Sequence, residues 1–386
     1  MLKIVHCFTD DKFVKGAINE LEFLNDRCEN EYVYVHKRFH RRIPFRFIGG
    51  ISQVRILEEG NFLSFLEDMR CNVVILHNLF SLPIGLISSI PSHIKLVWIA
   101  WGFDIYGKMG KMPFIQIPNL YHEETKKLLI PSFMGRFKQY AKNVRNVVQD
   151  GNVKKAVNRV DFFSGIIPEE YDMMKDIPFF RAQRVNFSYG NPLGGIDFSL
   201  LDKEEPIKGL DIMIGNSGEP TNNHADIFLR LKELHIEGRK IIVPLSYAGS
   251  MSYKQKVKCL GKRIWGENFV ALEDFMPFAE YKTILSSCGF RIFGHERQQA
   301  MGNIGMSFRE GCKVFLSETS IIYKHYQNSG LKMFTIQNDL NQQNLSVLLN
   351  DEETYQNRKI AIERMSSSRQ VERLYNFMDT LKNAFM

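Results

Sequence analysis

The sequence predicts an α/β protein with two domains, each built on a parallel β-sheet that is covered by helices. Short, continuously apolar runs alternate with longer amphipathic segments along most of the 386 residues. This alternation is typical of strands that are buried on both faces of a parallel sheet. The length suits two domains of roughly 100–200 residues each. A turn-rich, polar stretch near the middle of the chain interrupts the alternation, which then restarts.

The domain boundaries follow from that interruption. We predict an N-terminal domain at 1–190, a linker at 191–209 and a C-terminal domain at 210–370. A C-terminal helix at 371–386 is expected to cross back to the first domain. Open parallel sheets bind ligands at the carboxyl ends of their strands, so two such sheets are expected to face each other across a ligand-binding cleft.

The apolar runs define the expected strands. These are Leu2–Phe8, Tyr32–His36, Val73–His77, Leu96–Ala100 and Val160–Phe163 in the first domain, and Leu210–Ile214, Lys240–Pro244, Phe290–Phe293 and Val314–Leu316 in the second. The amphipathic segments between them predict helices. These include Asp11–Asn25, Asn61–Arg70, Phe137–Asn158, Asn222–Leu234, Tyr253–Lys262, Phe278–Ser287, Ala300–Arg309 and Ile321–Gln327.

Composition narrows the functional classes. Fifty Lys and Arg against 43 Asp and Glu give a net charge of +7, whereas nucleic-acid-binding proteins concentrate basic residues far more strongly on one face. The mild surplus favours an anionic small ligand, an anionic membrane surface, or both. No run reaches the ~20 apolar residues of a membrane-spanning helix, and we expect no signal peptide. Six cysteines without a CxxC pair favour a reduced, cytoplasmic setting.

The first candidate site is the turn Gly215-Asn216-Ser217-Gly218, which directly follows the apolar run DIMI and precedes a predicted helix. A strand, a turn of small residues and a helix N-terminus suit an anion, because backbone N–H groups point outward and the helix dipole favours negative charge. The turn is neither a GxGxxG motif nor a Walker loop. The alternative interpretation is an ordinary strand-to-helix turn with Thr221 as the helix cap.

The second candidate site comprises Arg297-Gln298-Gln299 and the nearby Gly302-Asn303, which follow the strand-like FRIFG. An arginine donates bidentate hydrogen bonds to phosphate oxygens, and glutamine side chains can reach sugar hydroxyls. A glycine at the start of the next helix lets the backbone approach a ligand closely. These residues therefore predict a clamp on a diphosphate, and the alternative is a solvated polar turn.

The third candidate site lies in the first domain, where a predicted strand leads into Trp98–Tyr106. Aromatic rings stack on sugars and a carboxylate accepts hydroxyl protons, so Asp104 is a candidate general base beside the acceptor-binding candidates Trp101 and Tyr106. His6, near the end of the first strand, is a second candidate base. The alternatives are a helix-capping Asp104 with the tryptophans in the core, and a structural His6.

Two further stretches carry weaker signals. A loop that leads into a predicted helix contains Phe275 and Met276, which could hold a planar base, with core packing as the alternative. The stretch Lys37–Arg46 interleaves basic and aromatic residues and includes Arg41 and Arg42. We expect it to meet anionic phospholipids or a lipid diphosphate, at about 1 kcal/mol per basic residue near an anionic surface. Its alternative is a solvated loop.

Several stretches of this sequence, taken with their order along the chain, resemble those of the bacterial N-acetylfucosaminyltransferases of glycosyltransferase family 56. These enzymes are the TDP-N-acetylfucosamine:lipid II transferases of enterobacterial common antigen assembly. The similarity spans most of residues 95–335 and is strongest after Leu210. The matching stretches are GNSG with the following TNNH, VPLSY at Val243–Tyr247, RQQ-x-x-G at Arg297–Gly302, GCKVFLSE, and WGFDIY in the first domain. The sequence departs from the family at His295-Glu296 and at Asn303.

The resemblance implies a GT-B fold with two Rossmann-like domains, a nucleotide-sugar donor and an inverting transfer that needs no metal or other cofactor. It implies that the turn at 215–218 approaches the donor diphosphate, with Arg297, Gln298, Gln299, Gly302 and Asn303 on the diphosphate and sugar. Tyr247, Phe275 and Met276 would border the thymine, and Asp104 would deprotonate the acceptor hydroxyl. Trp101, Tyr106, Arg41 and Arg42 would contact the acceptor.

The expected function is therefore transfer of a 4-acetamido-4,6-dideoxyhexose, such as N-acetylfucosamine, from a dTDP-sugar to a lipid-linked or surface-polysaccharide glycan. The enzyme is expected at the inner face of the bacterial cytoplasmic membrane, as a peripheral protein without a nucleic-acid partner. Two alternatives stay open. One is a transferase of the same fold that uses a UDP- or GDP-sugar in O-antigen or capsule synthesis, and the other is a non-catalytic glycan- or nucleotide-binding protein.

Overall fold

The computed structural model describes residues 1–36, 44–106, 115–129, 151–187 and 197–385. The chain divides into two compact units, of which the first consists of Met1–Gln116, Arg136–Gly195 and Ser367–Met386. The second consists of Ile117–Gly135 and Ile196–Ser366. Each unit contains a parallel β-sheet with helices between successive strands. The predicted class, two parallel-sheet α/β domains, is therefore confirmed.

The first unit has a seven-stranded parallel sheet with the order β3-β2-β1-β4-β5-β6-β7. Its strands are β1 Leu2–Phe8, β2 Cys28–His36, β3 Val54–Glu58, β4 Val73–Leu76, β5 Lys95–Ile99, β6 Phe162–Ser164 and β7 Gln183–Arg184. The central strands β1, β4 and β5 are buried along most or all of their length, as expected for a sheet that is covered on both faces.

Helices of the first unit, numbered along the whole chain, precede and follow these strands. They are α1 Val14–Leu21, α2 Phe62–Asp68, α3 Ile84–Ile87, α4 Gly102–Ile105, α6 at residues 151–159, α7 Pro168–Met174 and α16 Ser367–Asn383. The last of these contributes Leu374, Phe377, Met378 and Leu381 to the core around β1. The part of the predicted helix Phe137–Asn158 that spans 137–150 lies outside the described residues.

The second unit has a six-stranded parallel sheet with the order β10-β9-β8-β11-β12-β13. Its strands are β8 Ile212–Ile214, β9 Ile241–Pro244, β10 Phe269–Leu272, β11 Phe290–Phe293, β12 Lys313–Leu316 and β13 Phe334–Thr335. Its helices are α5 Glu123–Leu128, α8 Leu200–Lys203, α9 His224–Glu233, α10 Met251–Trp265, α11 Phe278–Leu285, α12 Met301–Arg309, α13 Ile321–Gln327, α14 Gln342–Ser346 and α15 Asp351–Met365.

The four strands that the sequence analysis missed are the four edge strands of the two sheets, β3, β7, β10 and β13. An edge strand has only one neighbour and can be short or partly exposed, so its sequence need not form a long apolar run. β10 is different, because it reads FVAL and is an apolar run that the sequence analysis overlooked. β3 is mostly exposed, and β7 and β13 have two residues each. The central strands were predicted because burial on both faces demands apolar residues throughout.

Candidate functional site

The sheet of the second unit has a topological switch point between β8 and β11. From β8 the chain adds β9 and β10 on one side, whereas β11, β12 and β13 extend the sheet on the other side. Ligands bind at such a point, in the crevice at the carboxyl ends of the strands. The loops that leave this edge, 215–223 and 294–300, contain both predicted diphosphate-binding stretches.

The turn after β8 is shaped by Gly215 and Asn222. Gly215 has a φ of +71°, and a Cβ at this position would lie 2.6 Å from Asn222 Oδ1, so glycine is required. Asn222 is completely buried. Its Oδ1 accepts the backbone N–H of Asn216 at 3.0 Å, and its Nδ2 donates to the carbonyls of Ser217 at 3.0 Å and Glu219 at 2.8 Å. One side chain thus holds the irregular backbone of the whole turn.

Side-chain hydrogen bonds join the two loops. Gln299 Nε2 donates to Asn216 Oδ1 at 3.0 Å, and Thr221 Oγ1 donates to Gln299 Oε1 at 2.5 Å. His295 Nε2 donates to Asn222 Oδ1 at 2.7 Å. Asn216 of the first predicted stretch and Gln299 of the second are therefore in direct contact, although 83 positions separate them in the sequence.

The remaining residues of the second stretch have different surroundings. Gln298 is buried, and Arg297 Nη1 donates to the carbonyl of Gln298 at 3.1 Å. A Cβ at Gly302, in the first turn of α12, would meet no atom within 4 Å. Asn303 Nδ2 donates to the hydroxyl of Tyr281 at 3.3 Å, which ties α12 to α11. The assignment of these residues to a diphosphate and sugar stays a prediction.

The predicted nucleobase residues lie on the loops after β9 and β10. The exposed fraction is 55% for Tyr247 and 77% for Phe275, and Met276 is half-buried. The carbonyl of Tyr247 accepts the backbone N–H of Gly218 at 2.8 Å, so its loop contacts the turn after β8. An exposed aromatic ring beside that turn suits stacking on a planar base. The nucleobase assignment stays a prediction.

Lys254 is a basic residue at this edge that the sequence analysis missed. It lies in the first turn of α10. A Cβ at Gly218 would lie 2.6 Å from Cε and 2.9 Å from Cγ of Lys254, so the bare glycine leaves room for the lysine stem against the turn. The charge of Lys254 is thereby held close to the predicted anion site. The helix sequence alone does not separate Lys254 from Lys256 and Lys258, which contact the Leu128 carbonyl and Glu273 instead.

A histidine–carboxylate pair lies at the same edge. Glu296, on the loop after β11, is 2% exposed and accepts hydrogen bonds from His122 Nε2 at 2.7 Å, Ser317 Oγ at 2.6 Å and Thr319 Oγ1 at 2.8 Å. Burial alone would raise the pKa of Glu296, but these hydrogen bonds outweigh it and hold the pKa below its usual value. Neither His122 nor Glu296 was a candidate in the sequence, because 174 positions separate them.

His6 is buried within the first unit. Its Nε2 donates to Asn30 Oδ1 at 3.0 Å, and its Nδ1 therefore accepts a hydrogen bond from His77 Nε2 at 3.0 Å. Burial lowers the pKa of His6 to about 4, partly opposed by the hydrogen bond with Asn30. Both ring nitrogens are thus occupied within the protein. These contacts favour the structural interpretation of His6, and its role as a base stays an untested prediction.

Asp104 lies at the start of α4 and is 3% exposed. Its Oδ1 accepts the backbone N–H of Trp101 at 2.7 Å, and its Oδ2 accepts the N–H of Leu79 at 2.9 Å and Nε1 of Trp98 at 2.8 Å. This carboxylate reaches back to the residue before the helix, as in a capping box. Trp98 is in the core, whereas Trp101 is half-buried and stacks on Phe13. The contacts favour the capping interpretation, and the catalytic assignment is untested.

We expect Asp104 to make the unfolding free energy depend on pH. Burial raises the pKa of Asp104 from 3.8 to about 7, although the hydrogen bonds from Leu79, Trp98 and Trp101 oppose the rise. Between these values the folded state binds more protons than the unfolded state, so stability declines as the pH rises from about 4 to about 7. Asp104→Asn should flatten this decline in denaturant unfolding curves. Asp172→Asn, at an exposed ion pair with Lys175, is the control and should leave the pH dependence of stability unchanged. If Asp104→Asn loses stability with rising pH as steeply as the wild type, Asp104 is not the source of this pH dependence.

The predicted acceptor residues Arg41 and Arg42 lie outside the described residues, as does the rest of 37–43. The end of this basic stretch is held by Asp10, whose carboxylate accepts the backbone N–H groups of Arg46 at 2.8 Å, Phe47 at 2.9 Å and Ile48 at 3.0 Å. Tyr106, another predicted acceptor residue, is buried.

Comparisons with solved structures show the same architecture over nearly the full chain. Anabaena HepE in complex with UDP and glucose is 11% identical, with a TM-score of 0.62 and 99% coverage of both chains. The lipopolysaccharide outer core galactosyltransferase WaaB is 8% identical, with a TM-score of 0.56 over 100% of this chain and 99% of that one. An alpha-glucosyltransferase in complex with UDP is 12% identical, with a TM-score of 0.53 over 98% and 99%.

These likenesses show that the chain has the GT-B fold, and at 8–12% identity they show the fold alone. More particularly, residues 196–371 match the family model described as "4-alpha-L-fucosyltransferase glycosyl transferase group 56". The resemblance of the C-terminal half to glycosyltransferase family 56 is thereby confirmed. The matched segment contains the turn after β8, the loop after β11 and Lys254, so the candidate site lies in the part of the chain that carries the family pattern.

Within the described part of the chain, none of the helices is both long enough and apolar enough to span a membrane.

Proposed function

We propose that the protein transfers a 4-acetamido-4,6-dideoxyhexose, such as N-acetylfucosamine, from a dTDP-sugar to a lipid-linked or surface-polysaccharide glycan, with inversion at the sugar carbon. The observation that carries the proposal is the match of residues 196–371 to the 4-alpha-L-fucosyltransferase family. It is supported by an anion-suited turn at the switch point of the same segment, which two side-chain hydrogen bonds join to the Arg297 loop.

In this proposal the donor diphosphate lies against the turn 215–218. The backbone N–H groups of Gly215, Asn216 and Gly218 already donate within the protein, so basic side chains are proposed to make the main contacts with the phosphate oxygens. Arg297 and Lys254 supply positive charge to the diphosphate as it departs, and Gln298 and Gln299 position the sugar. Stabilising the charge that develops on a leaving group is among the largest single contributions to catalysis. Two basic side chains and a helix N-terminus can make this contribution, so we propose a transfer that needs no metal cofactor.

The remaining predicted residues are assigned to the nucleobase of the donor and to the acceptor. Tyr247 and Phe275, with Met276, border the thymine base. Trp101 and Tyr106 of the first unit, with Arg41 and Arg42 of the basic stretch, bind the acceptor. A lipid diphosphate acceptor would lie in a membrane, and a basic, aromatic stretch would favour contact with an anionic membrane surface. We therefore propose peripheral association with the inner face of the bacterial cytoplasmic membrane.

A second candidate is a transferase that uses a UDP-sugar in O-antigen or capsule synthesis. It is favoured by two proteins of similar fold, HepE and the alpha-glucosyltransferase, whose structures contain UDP. Since these proteins are at most 12% identical to this chain, they indicate the fold, and the nucleotide must be determined by experiment. A GDP-sugar is tested in the same way.

Calorimetric titration with dTDP, UDP and GDP tests the proposal. We expect dTDP to bind most tightly, and transfer of the sugar to a lipid-diphosphate-linked glycan to be unaffected by a metal chelator. Lys254→Met should weaken dTDP binding by about 10–100-fold, because it removes a charge-assisted contact worth roughly 1.5–3 kcal/mol. Thymidine binding should not change.

Lys262→Met, at an exposed position near the other end of α10, is the matched control and should bind dTDP like the wild type. Tighter binding of UDP or GDP would replace the proposed donor. Binding of dTDP without transfer to any glycan from a saturating dTDP-sugar would contradict the proposed reaction and leave nucleotide binding as the activity.

A further inference from the structure

The pair His122 and Glu296 has the geometry of a histidine that a buried carboxylate orients for proton transfer. A carboxylate only accepts hydrogen bonds, so the proton of the 2.7 Å contact is on His122 Nε2 when the ring is neutral. The lone pair is then on Nδ1, with which no described residue forms a hydrogen bond. The His122 side chain is 27% exposed, whereas that of Glu296 is 2% exposed. A ligand can therefore reach the histidine but not the carboxylate.

The carboxylate is held in place and kept ionised. Ser317 and Thr319, on the loop after β12, each donate a hydroxyl hydrogen bond to Glu296. Together with His122 they lower the pKa of Glu296 against the effect of burial. An ionised partner fixes the tautomer of the imidazole and stabilises the imidazolium that forms when it takes up a proton, which is the role of the carboxylate in catalytic triads.

The histidine is fixed by its backbone as well. The N–H of His122 donates to Asn223 Oδ1 at 2.9 Å, and Asn223 Nδ2 donates to the carbonyl of Gly294 at 2.7 Å. The next helix, α5, begins with the N–H groups of Glu124 and Thr125 bonded to the carboxylate of Asp226, each at 2.9 Å. Residue 122 is thus tied to both loops of the switch point, where the donor is proposed to bind.

Asp104 lacks these properties. It is buried in the other unit, and three N–H donors occupy its two oxygens. A base must present a lone pair to the proton that it removes. His122 is partly exposed and meets that requirement, whereas the carboxylate of Asp104 is 3% exposed and already accepts three hydrogen bonds.

We propose that His122 is the general base of the transfer reaction and that Glu296 is its positioning residue. The inference rests on the proposed function. His122 Nδ1 removes the proton of the acceptor hydroxyl as the oxygen forms a bond to C1 of the sugar. The bond between C1 and the diphosphate oxygen breaks, and its electron pair leaves with the nucleoside diphosphate. The proton on the imidazolium then passes to solvent.

The test compares sugar transfer and dTDP binding in variants of the full chain. His122→Gln keeps an amide donor for Glu296 but has no basic nitrogen, and His122→Ala leaves space for an added base. Both should lower kcat by about 10²–10⁴-fold, with the Kd for dTDP within about twofold of wild type. Added imidazole should restore part of the activity of His122→Ala and none of that of His122→Gln. Glu296→Gln should lower kcat with little change in the KM for donor.

His93→Ala, at an exposed histidine, should transfer at the wild-type rate. Asp104→Asn should retain transfer wherever it remains folded. A folded His122→Gln enzyme with more than about a third of the wild-type kcat would overturn the inference. The inference would also be overturned if folded Asp104→Asn lost transfer while the His122 variants transferred sugar at the wild-type rate. If the wild-type enzyme transfers no sugar at all, the proposed function fails first and the inference fails with it.

Discussion

Replacing Asn222 with alanine is expected to lower the free energy of unfolding of the second unit by roughly 3–6 kcal/mol and to abolish dTDP binding. The change removes the partners of four groups, which are the N–H of Asn216, the carbonyls of Ser217 and Glu219, and Nε2 of His295. A buried polar group that loses its partner costs about 1–3 kcal/mol. The turn that is proposed to hold the diphosphate would lose its shape together with those contacts.

Denaturant unfolding and calorimetric titration measure the two effects separately. Asn338→Ala is the matched control, because the exposed Asn338 makes one side-chain hydrogen bond, to Glu318. Its unfolding free energy should change by less than about 0.5 kcal/mol, as is usual for surface substitutions. An Asn222→Ala protein with wild-type stability and wild-type dTDP affinity would show that the turn does not depend on this side chain.

Replacing Arg291 with methionine is expected to lower the free energy of unfolding by roughly 3–5 kcal/mol. Arg291 lies in the central strand β11 and is completely buried, and its Nη2 pairs with Glu310 Oε2 at 2.6 Å. Glu310 is 5% exposed, so the substitution leaves a carboxylate without its cation in the interior. Breaking one side of a buried ion pair typically costs this much.

The double variant Arg291→Met/Glu310→Leu should recover most of that stability, because replacement of both partners removes the uncompensated charge. Arg291 Nε and Glu310 Oε1 are buried and lack hydrogen-bond partners within the described part of the chain, which makes the pair costly to keep. Urea unfolding of the two single variants and the double variant gives the coupling free energy. A double variant that is no more stable than Arg291→Met would contradict this account.

Sequence patterns predicted the centre of each sheet and missed its margins, for a physical reason. β1 and β11 begin and end at the predicted residues, because strands with neighbours on both sides and helices on both faces need predominantly apolar residues. The edge strand β3 reads VRILE and exposes most of its side chains. Its place in the sheet depends on pairing with β2, which a local pattern does not reveal.

The residues of the candidate site also divide into those that a local sequence pattern predicts and those that it does not. The turn at 215–218 and the stretch at 297–299 were recognisable because each follows a strand and precedes a helix. Lys254 was not recognisable, because its position depends on contact with a glycine 36 positions earlier in the numbering (254 against 218). His122 becomes a candidate base only through its contact with Glu296, which is 174 positions away in the sequence. Tertiary contacts assign such roles, whereas composition and spacing do not.

The distribution of the chain between the two units constrains the order in which the protein can fold during synthesis. The core around β1 needs Leu374 and Phe377 of α16, which are made only after the whole of the second unit. Multidomain chains commonly complete their N-terminal domain while the remainder is still being made. Here part of the apolar core of the first unit stays uncovered until α16 has been made. We therefore expect newly made chains to depend on chaperones. A chain that ends at residue 373 should fail to complete the core of the first unit, although it contains the whole family-matched segment 196–371.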